Sequence, residues 1–126
     1  MIRYMMRMDE KVKGDLDWAY KADIVEMCEF LEIPTLYRAD WDTNPKNDKY
    51  AGWFYHSDIF GIKINDRYKG GGTLRDLCVQ GIIWHELCHY YTEYKYGFTG
   101  HGKEFIKVYL RKPLFVLYGF LSPFLC

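Results

Sequence analysis

The sequence predicts an α+β domain, and three observations support this class. Residues 15–31 keep the spacing of an amphipathic helix, short strand-like stretches follow between residues 35 and 64, and residues 78–91 are apolar over the length of a buried helix. With 126 residues, the chain can fill one hydrophobic core but not two. We therefore expect a single domain over residues 1–126.

The first predicted element is a helix over residues 15–31. Its apolar residues keep close to the i, i+3, i+4, i+7 pattern, and Asp23 is the break in that pattern. Asp15 or Gly14 is expected to cap the helix, and Pro34 follows its end. Packing against a core explains these residues, so no functional role is assigned to them.

Three strands are predicted next, over residues 35–41, 51–56 and 59–64. A tight turn at Ser57 and Asp58 joins the last two, and the set predicts a small three-stranded antiparallel sheet. His56 ends the second of these strands. It is interpreted as a structural or surface histidine, because nothing in the sequence places it near the other histidines.

A glycine run leads from the strands into the next helix. Residues 69–72 precede a helix as a phosphate loop does, but they lack the Gly-Lys-Ser/Thr ending of such a loop. We interpret the run as a flexible connection, with Thr73 and Asp76 forming an N-cap box at the start of the helix.

The helix predicted over residues 78–91 carries the chemistry. It is apolar on nearly every side, yet it contains His85, Glu86 and His89. Histidines four residues apart share one helix face, and both rings can reach one Zn²⁺ at about 2.0–2.1 Å. Glu86 lies about 100° round the helix axis from His85, where its carboxylate can touch a metal-bound water. Such a motif also arises by chance. Here, however, its ionisable groups are expected to be buried, and buried ionisable groups need a partner. The pattern therefore predicts a His-Glu-x-x-His zinc site.

A catalytic zinc site takes three protein ligands, so a third ligand is expected downstream. Gly97 is predicted to end the helix in the left-handed conformation, and a C-terminal helix opens after His101. His101 and Glu104 are three residues apart, so both could face the same point. We prefer His101 as the third ligand. Glu104 then orients a ligand or, as the alternative, binds the metal itself.

The segment HELCHYYTEYKYGFTGHGKEF resembles the active-site segment of SprT-like (Spartan-type) zinc metallopeptidases, which follow His-Glu-x-x-His with His-Gly-x-x-aromatic. The resemblance covers residues 50–105. It implies a zincin-like fold, one Zn²⁺ per chain held by His85, His89 and His101, Glu86 as catalytic acid/base, and a protein or peptide substrate. The Cys-x-x-Cys pairs of a zinc ribbon do not follow the motif.

The resemblance also implies a place for the substrate. The strand before the active helix lies along the cleft in such peptidases, so Gly61, Ile62, Lys63, Ile64 and Asn65 are expected to offer an edge to which a peptide adds as a strand. The competing interpretation is an interior strand with no ligand role.

A basic stripe on the last helix supports a rival function. Lys103, Lys107 and Arg111 recur at four-residue steps, which indicates a solvated face or, as the alternative, a DNA contact. On the metal motif and the resemblance, the sequence predicts a zinc metalloendopeptidase. Its alternatives are a non-catalytic, zinc-containing module that binds DNA, and a minimal peptidase of the gluzincin type with Glu104 as third ligand.

Composition limits partners and location. Lysine plus arginine and aspartate plus glutamate both number 17, so net charge implies no nucleic acid, membrane surface or acidic partner. No stretch is long and apolar enough to span a bilayer, the N-terminus lacks a secretory signal, and the four cysteines show no paired spacing. We expect an intracellular, cytoplasmic protein. The apolar tail over residues 113–126 packs on the core, forms a homodimer contact or covers the cleft, and the sequence does not choose among these roles.

Overall fold

The computed structural model describes residues 11–43, 50–98, 100–113 and 116. It confirms the α+β class. The described elements are α1 (Trp18–Leu31), β1 (Arg38–Asp42), β2 (Gly52–His56), β3 (Phe60–Asn65), a 3₁₀ turn (Asp66–Tyr68), α2 (Thr73–Tyr96) and α3 (Lys103–Tyr109). The role predicted for the tail over residues 113–126 lies outside the described residues, apart from Pro113 and Val116.

The sheet is mixed, with the strand order β1-β3-β2. β2 and β3 form the expected antiparallel hairpin, with Phe54 opposite Ile62. β1 instead pairs with β3 in parallel, with Ala39 beside Ile62, so the prediction of an all-antiparallel sheet was wrong for β1. A tight turn fixes the pairing of a hairpin locally, whereas the placement of β1 depends on burying Ala39 and Trp41 in the core, which no local signal encodes.

β3 is the central strand, so the prediction that it offers an edge to a substrate was wrong. The residues that pair with β1 on one side are Gly61, Ile62, Lys63, Ile64 and Asn65. All of these except Asn65 also pair with β2 on the other side. Ile62 and Ile64 are fully buried, and these two apolar positions are what hold β3 in the interior of the sheet.

The segment before α1 covers the outer edge of β1. Lys13 pairs with β1 through two hydrogen bonds: its N–H donates to the carbonyl of Tyr37 (2.8 Å), and its own carbonyl accepts from Ala39 N–H (2.9 Å). Further along, the Asp15 carboxylate accepts from Trp41 N–H at 2.8 Å. Among the described strands, β2 is therefore the one whose second edge has no strand partner.

α1 begins at Trp18 rather than at residue 15, because Asp15 serves β1 instead of capping the helix. Asp17 occupies the N-cap position, and its carboxylate accepts from the Trp41 indole N–H at 3.2 Å. α1 packs against α2, where the Gln80 amide donates to Asp23 at 3.1 Å. Asp23, which breaks the apolar pattern, is thus part of a helix–helix contact.

α2 is the long central helix, and a turn of three glycines with positive φ precedes it. Gly70, Gly71 and Gly72 have φ angles of 108°, 78° and 99°, a region that favours glycine. Gly72 is the N-cap and no side chain caps the helix, so the predicted N-cap box of Thr73 and Asp76 was wrong. Asp76 instead accepts a hydrogen bond from the Tyr20 hydroxyl, which ties α1 to the start of α2.

α2 packs against α1, α3, β2 and β3, so it lies at the centre of the core. Every residue from Gly81 to Tyr90 is buried, which agrees with the apolar pattern of the sequence. None of the helices in the described part of the chain has the length and apolar character that crossing a membrane requires.

Candidate metal centre

Three histidines converge on one point beside α2. His85 and His89 stand one helical turn apart, and His101 approaches them from the loop before α3. His101 Nε2 lies 3.1 Å from His89 Nε2 and 3.4 Å from His85 Nε2. Three ring nitrogens that meet this closely repel one another unless a proton or a cation lies between them. The group can therefore hold a metal ion, as the sequence predicted.

The spacing fits a tetrahedral ion. Two nitrogens bound to Zn²⁺ at 2.0–2.1 Å and at the tetrahedral angle lie about 3.3 Å apart. The distances of 3.1 and 3.4 Å from His101 Nε2 bracket that value. Among the described residues, no other group of three or more His, Cys, Asp or Glu side chains comes close enough together to hold an ion.

His101 completes the group and Glu104 does not. The carboxylate of Glu104 is absent from the cluster. Glu104 instead lines a depression of about 220 Å³ with Lys107 and Arg111. The cluster thus contains His101, the preferred third ligand, and not the alternative Glu104.

Burial and mutual proximity keep the three rings neutral. Burial, followed by the charges of His89 and His101, lowers the pKa of His85 to about 3. Burial and the charge of His101 lower the pKa of His89 to about 4, and burial also lowers the pKa of His101. A neutral imidazole with a free lone pair is the form that binds a metal ion, so the site is in its ligating state at neutral pH.

Phe105 packs against all three histidines. Its ring centre lies 5.1 Å from that of His85, 4.5 Å from that of His89 and 5.0 Å from that of His101, and the side chain is fully buried. Tyr109, one turn later on α3, lies 5.8 Å from His85 and accepts a hydrogen bond at its carbonyl from the Trp84 indole at 3.1 Å. α3 therefore fixes the orientation of the ligand rings from one side.

The loop that carries His101 starts as the sequence predicted. Gly97 ends α2 with a φ of 79°, and its N–H donates to the carbonyl of Glu93 at 2.9 Å. The left-handed residue turns the chain back toward the helix, and Gly102 then serves as the N-cap of α3. This short reversal is what brings His101 to the two ligands on α2.

Glu86 follows His85 on α2 and is 1% exposed. A carboxylate at this depth is costly unless neighbouring polar groups or a cation compensate it. Glu86 does not belong to the group of side chains that could hold a metal ion. Its neighbour Cys88 is fully buried, and burial followed by the charge of Glu86 raises the pKa of that thiol.

The position of His56 could not be found from the sequence. Its Nδ1 lies 3.0 Å from the carboxylate of Glu93, one helical turn beyond His89 on α2. The His56 ring also stacks on Phe60, with 4.1 Å between ring centres. His56 is thus outside the ligand group but attached to the helix that carries it.

Two residues of the predicted basic stripe lie on α3 and the third, Arg111, follows its end; all three are exposed, as expected of a solvated face. Lys103, Lys107 and Arg111 all face solvent, and the last two line the small depression next to Tyr91 and Tyr96. A larger depression of about 480 Å³ lies on the outer face of the sheet and contains none of the four histidines. The clearest chemical site in the described residues is therefore the histidine cluster.

No protein-family model matches this chain, and neither a curated protein nor a solved structure matches it significantly.

Proposed function

We propose that the chain is a zinc-dependent metalloendopeptidase of the SprT-like type. His85, His89 and His101 hold one Zn²⁺ per chain, and Glu86 is the general acid/base. The observation that supports this most directly is the convergence of the three Nε2 atoms at tetrahedral spacing. Three neutral nitrogen ligands with a fourth position left for water are typical of catalytic zinc, whereas structural sites are closed by four protein ligands.

The mechanism assigns the proton transfers to Glu86, the buried residue that follows His85 on α2. A bound Zn²⁺ supplies Lewis-acid activation of water and of the scissile carbonyl. Glu86 accepts a proton from the attacking water as the new C–O bond forms. It then gives that proton to the leaving nitrogen as the C–N bond breaks, so that one water is consumed for each bond cleaved.

The substrate edge is assigned to β2 rather than to β3. β2 lies alongside α2, since a Cβ on Gly52 would lie 2.8 Å from Ile82 and the Phe54 ring stacks 6.0 Å from Tyr90. Because the other edge of β2 has no strand partner among the described residues, a peptide can add there through main-chain hydrogen bonds. Such a peptide would lie extended beside the helix that carries the metal ligands.

Metal content tests the ligand set. We expect about one zinc per chain in the wild type, strongly reduced zinc in His101→Ala, and unchanged zinc in the matched variant Glu104→Ala. Elemental analysis of the three proteins, purified side by side, gives the answer. Zinc retained in His101→Ala but lost in Glu104→Ala would overturn the assignment.

The role of Glu86 is tested by Glu86→Gln. The amide keeps the shape of the side chain but cannot accept the proton, so cleavage of a casein substrate should fall by a factor of about 10² or more. Zinc content should stay at the wild-type level, because Glu86 is not a ligand. Glu104→Gln is the matched control and should cleave as the wild type does. Full activity in Glu86→Gln would contradict the mechanism.

A DNA-binding module with a non-catalytic zinc is the second candidate. It is favoured by the exposed Lys107 and Arg111, which share a depression with Tyr91 and Tyr96. Binding to a short DNA duplex should then weaken steeply with salt and should weaken further in Lys107→Ala. An absence of binding at low salt removes this candidate.

The cysteines support an intracellular, cytoplasmic location. Cys28, Cys78 and Cys88 are free thiols, and the first and last are buried. Unpaired cysteines are typical of a reducing compartment, where small buried thiols act as apolar side chains.

A further inference from the structure

His56, at the end of β2, and Glu93, on α2, are in side-chain contact. The His56 Nδ1 and a Glu93 carboxylate oxygen are 3.0 Å apart. The His56 side chain is 41% exposed and that of Glu93 is 20% exposed, so solvent reaches both. No element of the proposed mechanism uses the pair.

β2 and α2 run in the same direction, which gives the pair a definite place along the cleft. Gly52 lies against Ile82, Phe54 stacks on Tyr90, and His56 contacts Glu93. The metal ligands on α2 are therefore level with the middle of β2, and the pair is level with its end. Glu93 lies one turn beyond His89, about 6 Å along the helix axis.

That distance corresponds to a short step along a bound peptide. An extended chain rises about 3.3 Å per residue, so side chains within about three residues of the scissile bond can reach the pair. A peptide paired with the open edge of β2 would run past His56 at the end of the strand.

The pair offers acceptors rather than donors. A carboxylate only accepts hydrogen bonds, so the proton between the two groups belongs to His56 Nδ1. With the ring in its neutral form, Nε2 can then accept a hydrogen bond from a ligand beside the carboxylate of Glu93. The next charged residue along the chain, Asp58, is also acidic. The nearby cation Lys95 is engaged elsewhere, 5.7 Å above the Tyr91 ring.

We propose that His56 and Glu93 form a subsite for a cationic group of the peptide substrate, within about three residues of the bond that is cleaved. The group is a lysine or arginine side chain, or the ammonium at the N-terminus of the peptide. This subsite rests on the proposed peptidase function and adds a preference that the metal centre alone does not give.

The first test is a binding measurement that does not depend on turnover. Acetylated alanine-rich octapeptides, each with one lysine moved along the chain, are titrated against zinc-loaded Glu86→Gln by fluorescence anisotropy. We expect one lysine position to bind about fivefold more tightly than norleucine at the same position, which is the range of a partly exposed ion pair. Unacetylated peptides without lysine test the terminal ammonium in the same way.

The lysine preference should disappear when Glu93→Gln is added and should persist with Glu29→Gln, an exposed carboxylate on α1. Equal binding of lysine and norleucine peptides at every position would overturn the subsite. A purely structural pair would behave differently, because Glu93→Gln would then lower the melting temperature and leave the preference unchanged.

The second test is the cleavage pattern of the active enzyme. A proteome digested with a glutamate-specific protease supplies peptides with internal lysines and arginines, and mass spectrometry locates the bonds that are cut. We expect these residues to be enriched at one position near the cut in the wild type and acidic residues to replace them in Glu93→Lys. Cleavage without that enrichment contradicts the subsite alone, whereas no cleavage by a zinc-loaded protein contradicts the peptidase.

Discussion

Phe105 contacts the rings of all three proposed ligands, so its flat shape sets their mutual orientation. Phe105→Leu keeps an apolar side chain there but removes the ring. We expect zinc affinity to fall by a factor of about 10 or more, as for other groups that orient metal ligands. Competition with a chelator measures this. Phe60→Leu, which changes a ring near His56, is the matched control and should bind zinc as the wild type does. Equal affinities in both variants would contradict the role of Phe105.

Asp23 gives a pH dependence whose sign can be stated. Burial, and then the charges of Glu26 and Asp76, raise its pKa in the folded state, although the hydrogen bond from Gln80 acts the other way. The folded state therefore holds this proton more tightly than the unfolded state does. The stability that results is present at pH values below the ordinary carboxyl pKa and is lost as the pH rises through the folded value.

Asp23→Asn should remove the loss of stability that the ionisation of Asp23 causes as the pH rises. We expect the free energy of unfolding at pH 7 to rise by less than about 1 kcal/mol, because solvent screens a group that is partly exposed. The difference from the wild type should vanish in acid, and Asp58→Asn at an exposed position should show neither effect. Urea unfolding at several pH values measures the free energy of unfolding of the wild type and of the two variants. A variant that is less stable than the wild type at pH 7 would contradict this account.

At the scale of elements, the turn before α2 depends on its glycines. Gly71 has a φ of 78°, and a Cβ built there meets no atom within 4 Å. Any cost of Gly71→Ala therefore comes from backbone strain, which we expect to lower the free energy of unfolding by about 1 kcal/mol. Gly100 is equally open but does not have a positive φ, so Gly100→Ala is the control for thermal unfolding. Equal melting temperatures for the two variants would contradict the strain.

The elements also show what the sequence can and cannot predict. The helix of His85 and His89 and the β2–β3 hairpin follow from local patterns, namely apolar periodicity and a tight turn. The parallel pairing of β1 could not be predicted, because it depends on residues that meet only in the folded core. The contact of His56 with Glu93 could not be predicted for the same reason. It joins positions 37 apart in the chain, and no local spacing reveals it.

At the scale of the whole molecule, the two edges of the sheet are unequal. The segment around Lys13 closes the edge of β1 through hydrogen bonds, while the edge of β2 has no strand partner among the described residues. Fibre growth by strand pairing needs two open edges on each subunit, one for each neighbour. Among the residues that the structure describes, this sheet offers one.

Self-association through β2 therefore stops at a pair of chains related by a twofold axis. We expect sedimentation velocity at rising concentration to show monomer and dimer only, with saturating peptide shifting the dimer back to monomer because both compete for the same edge. Larger oligomers would contradict this. Because the edge of β1 is closed, the open edge of β2 does not lead to polymerisation. The same backbone groups can pair with a substrate strand or with one second chain, but not with a growing series of chains.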